Sequence, residues 1–440
     1  MNTYHDALAF IASRHKFKRD PTLDRMRLFM KKLGNPQNKI KHMIHVTGTN
    51  GKGSVVTFLR NLFQQSGYSV GTFTSPYLVT FNERISVNGK PVSNSTILRL
   101  AKAVAPVAEA LDKALPDGGP TEFEVITAMM FKYFAEHHAD VVIVEVGIGG
   151  RYDSTNVLIP DVSAITTVSW DHMKILGDTL PKIAYQKAGI IKQGKPVVAG
   201  RISKAPLDVI KKTAAKKHSH LSILGRDFLI KHHQPTGWNE IFDFKSKGLS
   251  LHRAKIQMVG TYEIDNAAVA VETYLQYCRV NGLHVDPNII RKGLAGTFWA
   301  GRFERLNGSP IVVIDGAHNV PAIKAIQPIL SKRFAQRDVY VILAIFADKQ
   351  YQQMVKILSQ IHNVHLVLTE FHGPGHRGAA DLKPLAEDVK AKHPIKYIPN
   401  WKQAIVQTVS MMSQDDVLLI TGSLYFISNV RPLFINQKNS

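Results

Sequence analysis

The chain has 440 residues, 45% of them hydrophobic and 20% charged, with a single cysteine, Cys278, so sizeable cores in two domains are expected and an internal disulfide is excluded. The 55 basic residues against 34 acidic ones give a net charge of +21 and ask for an anionic partner, and uncharged apolar runs such as VYVILAIFA are far too short to span a bilayer. From Thr297 onward there are 16 basic and 10 acidic residues, leaving 39 against 24 before it, so the excess lies mainly in the N-terminal part. The first twenty residues mix charge and His among apolar positions and lack a cleavable signal pattern, so a soluble, cytoplasmic protein with no membrane partner is expected.

In chain order, the first informative stretch is HVTGTNGKGSVVTFL, residues 45–59. A strand-like run enters a glycine-rich turn with one lysine and leaves it as a helix, with Val55, Phe58, Leu59, Leu62 and Phe63 at helical spacing. The turn departs from G-x-x-x-x-G-K-[ST] at two places: Val46 stands five residues before Gly51, and Gly53 follows Lys52, with the hydroxyl displaced to Ser54. Its physics still suits phosphate, since Gly48, Gly51 and Gly53 let backbone N–H groups approach, Lys52 adds a cation and the helix start adds partial positive charge.

YSVGTFTSP then reads as a strand ending at Ser75, and TEFEVITAMMFKYFAEHHA as a helix. DVVIVEVG is a strand buried on both faces with Glu145 at its end. DVSAITTVSW is read as a strand ending at Asp171 and His172, and TLPKIAYQKAGIIK as a helix carrying Lys187. Residues 201–258, richer in Lys and His, suggest an inserted antiparallel portion. A second alternating set, PIVVIDGAHN, VYVILAIFADK, VHLVLTEF, IKYIPN and DVLLITGS, follows a glycine-rich stretch, GLAGTFWAGRFE, that places the domain boundary at 296/297. The fold class is therefore α/β, with two mostly parallel sheets covered by helices.

In such folds ligands sit beyond the carboxyl ends of the strands. Ser75 alone is a turn residue before a proline. Glu145 in a buried strand implies either a metal or a basic partner, and His172 is either a hydrogen-bonded turn residue or a metal ligand. The default for Lys187 is the surface. Arg302 is long enough to reach phosphate and Asp315 suits a ribose hydroxyl, while His318 stands beside it, though singly all three are ordinary loop residues. The histidines at 137–138, 218, 220 and 232–233 have no partners at metal spacing and are read as surface.

Taken together, PTLDRMRLFMKKLGNPQ, HVTGTNGKGSV, TSPYLVTFNERISVNG, TEFE, VEVGIGGRYDSTN, SWDHMKILGDTL, IAYQKAGIIK, NAAVA, GRFE, IDGAHN and TGSLYF resemble the folylpolyglutamate synthases, the folate branch of the Mur ligase superfamily. The resemblance implies an N-terminal P-loop ATPase domain, 1–296, and a smaller Rossmann-like ligase domain, 297–440. It implies ATP phosphates on Gly48, Thr49, Asn50, Gly51, Lys52, Gly53 and Ser54, and Mg2+ on Ser75, Glu145 and His172. It further implies a carbamylated Lys187 helping to place a second Mg2+, and a monovalent cation such as K+ among the cofactors. Asn266 is assigned to the adenine, Arg302 to the terminal phosphate, Asp315 to the ribose and His318 to the active site. Three positions depart from the family pattern: Tyr262-Glu263 stands where HQ is usual, Asp348-Lys349-Gln350 where DKD is usual, and Ala300 where the linker has proline.

The implied reaction joins L-glutamate to the γ-carboxylate of a reduced folate polyglutamate through an acyl phosphate, in a monomer whose two domains close over the site. A bifunctional enzyme that also joins glutamate to dihydropteroate is the alternative. A peptidoglycan Mur ligase would carry a UDP-binding domain before the loop, where only about 45 residues stand. A nucleic-acid motor is disfavoured because no basic helix, zinc-finger spacing or aromatic RNA-binding signature occurs, so no nucleic-acid partner is expected.

Overall fold

The computed structural model describes residues 1–15, 22–116, 118–373 and 378–435. The chain divides into two compact units, Met1–Gln257 with Glu263–Thr297, and Met258–Tyr262 with Phe298–Ser440.

The first unit is built on eight strands: β1 (Met43–Thr47), β2 (Val70–Phe73), β3 (Ile85–Val87), β4 (Lys90–Pro91), β5 (Val141–Glu145), β6 (Val162–Ile165), β7 (Val197–Ala199) and β8 (Leu221–Ile223). They lie in the order β4-β3-β2-β5-β1-β6-β7-β8; β2 and β5 to β8 run parallel with β1, and only the β2–β3 and β3–β4 pairings are antiparallel. β1 and β5 are buried at every position, which explains the absence of polar alternation in MIHVT and VVIVE. The carboxyl ends of β5, β1 and β6 therefore stand side by side, with Val46 paired to Glu145 and Thr47 to Ile165.

Helices cover both faces. One layer packs Phe29, Met30, Leu100, Met129, Phe131 and Phe134 against Phe73, Val142 and Val144. Another core packs Ile183, Ala184, Ile190 and Ile210 around Val146, Ile165 and Val197. Each fully buried Phe contributes about 1.5–3 kcal/mol through apolar area removed from water. The helix Glu122–Phe134 begins with a capping box, Thr121 and Glu124 exchanging side-chain and backbone hydrogen bonds. Glu124, fully buried, also receives Arg25 Nε at 2.9 Å, so its charge is paired. Cys278 is buried in the helix Thr261–Val280.

The antiparallel expectation for 201–258 holds for its second half: β9 (Leu229–Thr236), β10 (Asn239–Ser246) and β11 (Leu249–Ile256) form a separate sheet. The first half instead supplies the helix Lys204–Lys216 and β8 to the main sheet.

The second unit has six strands, β12 (Glu304–Gly308), β13 (Ile311–Ile314), β14 (Val339–Leu343), β15 (Val364–Glu370), β16 (Lys396–Asn400) and β17 (Val417–Thr421). Their order is β12-β13-β17-β14-β15-β16, parallel except for the hairpin partner β12. From β13 onward strands alternate with helices, as the apolar runs predict.

Candidate functional site

Leaving β1, the chain turns through Gly48–Gly51 and starts the helix Lys52–Gln65. Gly51 has φ +83°, a left-handed conformation that β-carbon-bearing residues avoid. Its Cα faces the Asn266 side chain so closely that a Cβ would overlap the amide. Gly48 approaches Thr166 just as closely. The loop is held by the stretch after β6: Thr49 N donates to Thr167 O (3.0 Å), Asn50 N to Thr167 Oγ1 (3.0 Å) and Ser169 N to Thr49 Oγ1 (3.0 Å). Thr166 and Thr167 hydroxyls both donate to Asn50 O. Lys52 Nζ donates to the carbonyl oxygens of Gly48 (3.2 Å) and Thr49 (3.4 Å), which sets the ammonium over the turn. The result is a nest of backbone N–H groups, a helix start and a cation, the requirements for binding phosphate.

These contacts correct one expectation. The strand read through TTVSW ends at Ile165, so Asp171 and His172 lie on a loop beyond it. Beyond Thr166, whose N–H still donates to Thr47 O, the backbone turns to the glycine loop: Thr167 O accepts from Thr49 N and Ser169 N donates to Thr49 Oγ1. Gly48→Ala is accordingly expected to displace Thr166 and the turn together, lowering kcat/KM for ATP by about 100-fold. Steady-state kinetics with the melting temperature as control checks this.

Glu145, 4% exposed, ends β5 and accepts from Ser75 N at 3.2 Å, so Ser75 and Glu145 meet on the sheet edge. Ser54 points elsewhere: its Oγ, buried, donates to Glu263 Oε1 at 2.9 Å. The P-loop hydroxyl is thus held by a carboxylate on the helix Thr261–Val280, and the same carboxylate accepts from Asn266 Nδ2 at 3.1 Å. His172 has φ +49° and precedes the short helix Met173–Leu176, with its side chain exposed. Its backbone N–H donates to Asp171 Oδ1.

The surface default for Lys187 is wrong. On the helix Leu180–Ala188 it is 2% exposed, and burial, with the charge of Lys52 adding to it, lowers its pKa to about 7, against the opposing pull of Asp171. That electrostatic coupling brings Lys52, Lys187 and Asp171 into one region. Among the described residues no group of three or more His, Cys, Asp or Glu is gathered for a metal. The residues do fit magnesium, which takes one or two carboxylates and draws its remaining ligands from phosphate and water. Glu145 is such a carboxylate, with Ser75 against it.

In the second unit, Asp315 follows β13 and is buried, accepting Phe303 N and Ala317 N, both at 2.8 Å. Burial raises its pKa, against the charge of Arg302 and those two bonds. Gly316 N donates to Gly301 O (2.9 Å), and Glu304 accepts from Gly301 N (2.8 Å) and from Arg431 Nε and Nη2 (3.0 and 2.9 Å). Arg302, Asp315 and His318 therefore share one pinned double loop. His318 Nδ1 donates to Gly316 O at 2.8 Å, which fixes the ring against the loop. Sequence reasoning missed Arg431, whose partner is 127 positions away, and the Thr166–Ser169 clamp, whose signal was the hydroxyl run itself.

Residues 46–274 match the Mur ligase middle domain and residues 301–424 the Mur ligase, glutamate ligase domain. The dihydrofolate synthase/folylpolyglutamate synthase of Bacillus subtilis is 40% identical over 97% of this chain and 98% of its own. The folylpolyglutamate synthase of Lacticaseibacillus casei is 35% identical over 99% and 100%. Among solved structures, the Mycobacterium tuberculosis folylpolyglutamate synthase complexed with ADP superposes with a TM-score of 0.89 at 28% identity, covering 98% of each chain. An FPGS–AMPPCP–folate complex superposes with a TM-score of 0.86 at 33% identity, covering 98% of this chain and 100% of that one.

Proposed function

The chain belongs to the folylpolyglutamate synthases of the Mur ligase family, and from that premise we infer how its own residues perform the ATP-dependent addition of L-glutamate to the γ-carboxylate of a folate polyglutamate. A carboxylate is inert to amines because oxide is a poor leaving group. A γ-carboxylate oxygen therefore attacks the γ-phosphorus of ATP, ADP departs, and an acyl phosphate forms. The glutamate amine then attacks the acyl carbon, the tetrahedral intermediate collapses, and phosphate leaves with the amide formed. Catalysis of the first step is positioning and charge neutralisation.

The single observation that supports this assignment of residues is the meeting of Lys52 on its glycine turn with buried Lys187 in one electrostatic neighbourhood. Residues 48–54 are assigned to the ATP phosphates, with Lys52 at the β/γ end, and Asn266 to the adenine. Ser75, Glu145 and His172 would hold magnesium, which neutralises phosphate charge when bound. A carbamate on Lys187 would add a carboxylate toward a second ion, and K+ belongs to the same proposal. Arg302 is assigned to the terminal phosphate. His318, held through Nδ1 by Gly316 O, is assigned to the active site as a catalytic residue. Asp315 is assigned to the ribose, in addition to closing its own loop.

The division of labour proposed is ATP binding by 1–296 and the ligase role by 297–440, in a cytoplasmic monomer. Among the described residues no helix is long and apolar enough to cross a membrane. The test is product mass after incubation with Mg-ATP, glutamate and either a reduced folate or dihydropteroate. One added glutamate on the folate is expected, and its absence on every folate overturns the reading. Product from dihydropteroate as well would make the enzyme bifunctional, the pairing named in the Bacillus subtilis relative.

A further inference from the structure

Glu263 stands where the family pattern that the sequence resembles has glutamine, and its carboxylate bears on what the neighbouring amide can do. Glu263 is buried: Oε1 accepts from Ser54 Oγ at 2.9 Å, and Oε2 accepts from Asn266 Nδ2, one turn along its own helix, at 3.1 Å. The first contact anchors the carboxylate to the opening turn of the helix Lys52–Gln65. The second decides the orientation of the Asn266 side chain, whose Oδ1 lies against Gly51. We propose that Glu263 is a specificity-determining residue for the nucleotide base: its carboxylate fixes which way the Asn266 amide faces.

The chemistry is a matter of donors and acceptors. Both carboxylate oxygens accept here, so the pair holds the amide NH2 and repels the amide oxygen. Turning Asn266 over would set Oδ1 against Oε2 where both side chains are buried and the repulsion is poorly screened. A glutamine imposes no such choice, because its own amide can turn and either donate or accept. Asn266 therefore offers a carbonyl acceptor in a set position. Adenine carries a 6-amino donor, and hypoxanthine carries a 6-oxo acceptor in its place. A fixed carbonyl pairs with the first and opposes the second, and a site built for one pattern penalises the other through unpaired polar groups.

This inference rests on the assignment of Asn266 to the base, and the experiment separates the two. We would measure kcat/KM for ATP and for inosine triphosphate in the wild type, Glu263→Gln and Asn266→Ala, with the amide-forming reaction as readout. The wild type should prefer ATP, and Glu263→Gln should reduce that preference by about 10-fold, mainly through KM. A merely structural loss lowers both rates and leaves their ratio in place. If Glu263→Gln unfolds too readily, Glu263→Met removes the acceptor at similar length and is read the same way. An unchanged ratio in the Glu263 variant with a collapsed one in Asn266→Ala overturns the orienting role alone. An unchanged ratio in both overturns the assignment of Asn266 to the base as well.

Discussion

Lys52→Ala is expected to lower kcat at saturating ATP by about 100- to 1,000-fold while leaving the fold intact. The ammonium hangs over the glycine turn on the Gly48 and Thr49 carbonyls, contacts that are dispensable for folding because Thr166, Thr167 and Ser169 hold the same turn independently. Its loss removes a positive charge where phosphoryl charge develops, a place at which the remaining loop N–H groups supply dipoles but no full charge. Single-turnover rates and a melting curve check both halves. The substitution has a second consequence. Lys52 is one cause of the lowered pKa of Lys187, so its removal should let the Lys187 pKa rise. Near-normal turnover in Lys52→Ala would undo the assignment of the loop.

What the sequence made legible was whatever is local or periodic. The apolar run VVIVE announced a doubly buried strand, and glycines next to a lysine at a strand–helix junction announced a phosphate cradle. Glu145 was legible because a carboxylate ending such a strand needs a reason to be there. Lys187 was not: its burial comes from packing of the helix Leu180–Ala188 onto the sheet, and a lysine on that helix carries no mark of which side it faces. The β-branched run Thr166–Val168 imitates strand continuation, while its hydroxyls serve a turn some 117 positions earlier. Glu263 registered only as a departure from a pattern; its role emerges once Ser54, 209 positions away, lies against it. Apart from Lys187, the misses are long-range polar pairings, which leave no periodic trace, whereas the fold follows from continuous apolar runs and helical spacing, which do.

The second large effect is expected at Lys187. Lys187→Met removes a buried amine at nearly constant length, so the fold should survive and turnover should fall about 1,000-fold or more. The chemistry begins with the direction of the pKa shift. Burial and Lys52 disfavour the ammonium, so the amine deprotonates at about 7 rather than at the ordinary 10.5. At pH 8 about 90% of such a side chain is the free amine, against well under 1% for an ordinary lysine. A free amine nitrogen can attack the carbon of CO2, forming the N–C bond and losing one proton, which yields a carbamate with net charge −1. The same shift carries a stability consequence for the uncarbamylated protein. Between about 7 and 10.5 the unfolded chain binds a proton at Lys187 that the folded chain does not, so this residue's effect on stability becomes more favourable as pH rises across that window. Under 13C-labelled bicarbonate at pH 8, the wild type should show one protein carbamate resonance that is absent in Lys187→Met and fades below pH 7, where the folded amine protonates. Activity should fall when CO2 is removed and return on adding bicarbonate. Full activity in CO2-free buffer together with no carbamate resonance would reject the modified lysine and leave Lys187 a buried neutral amine.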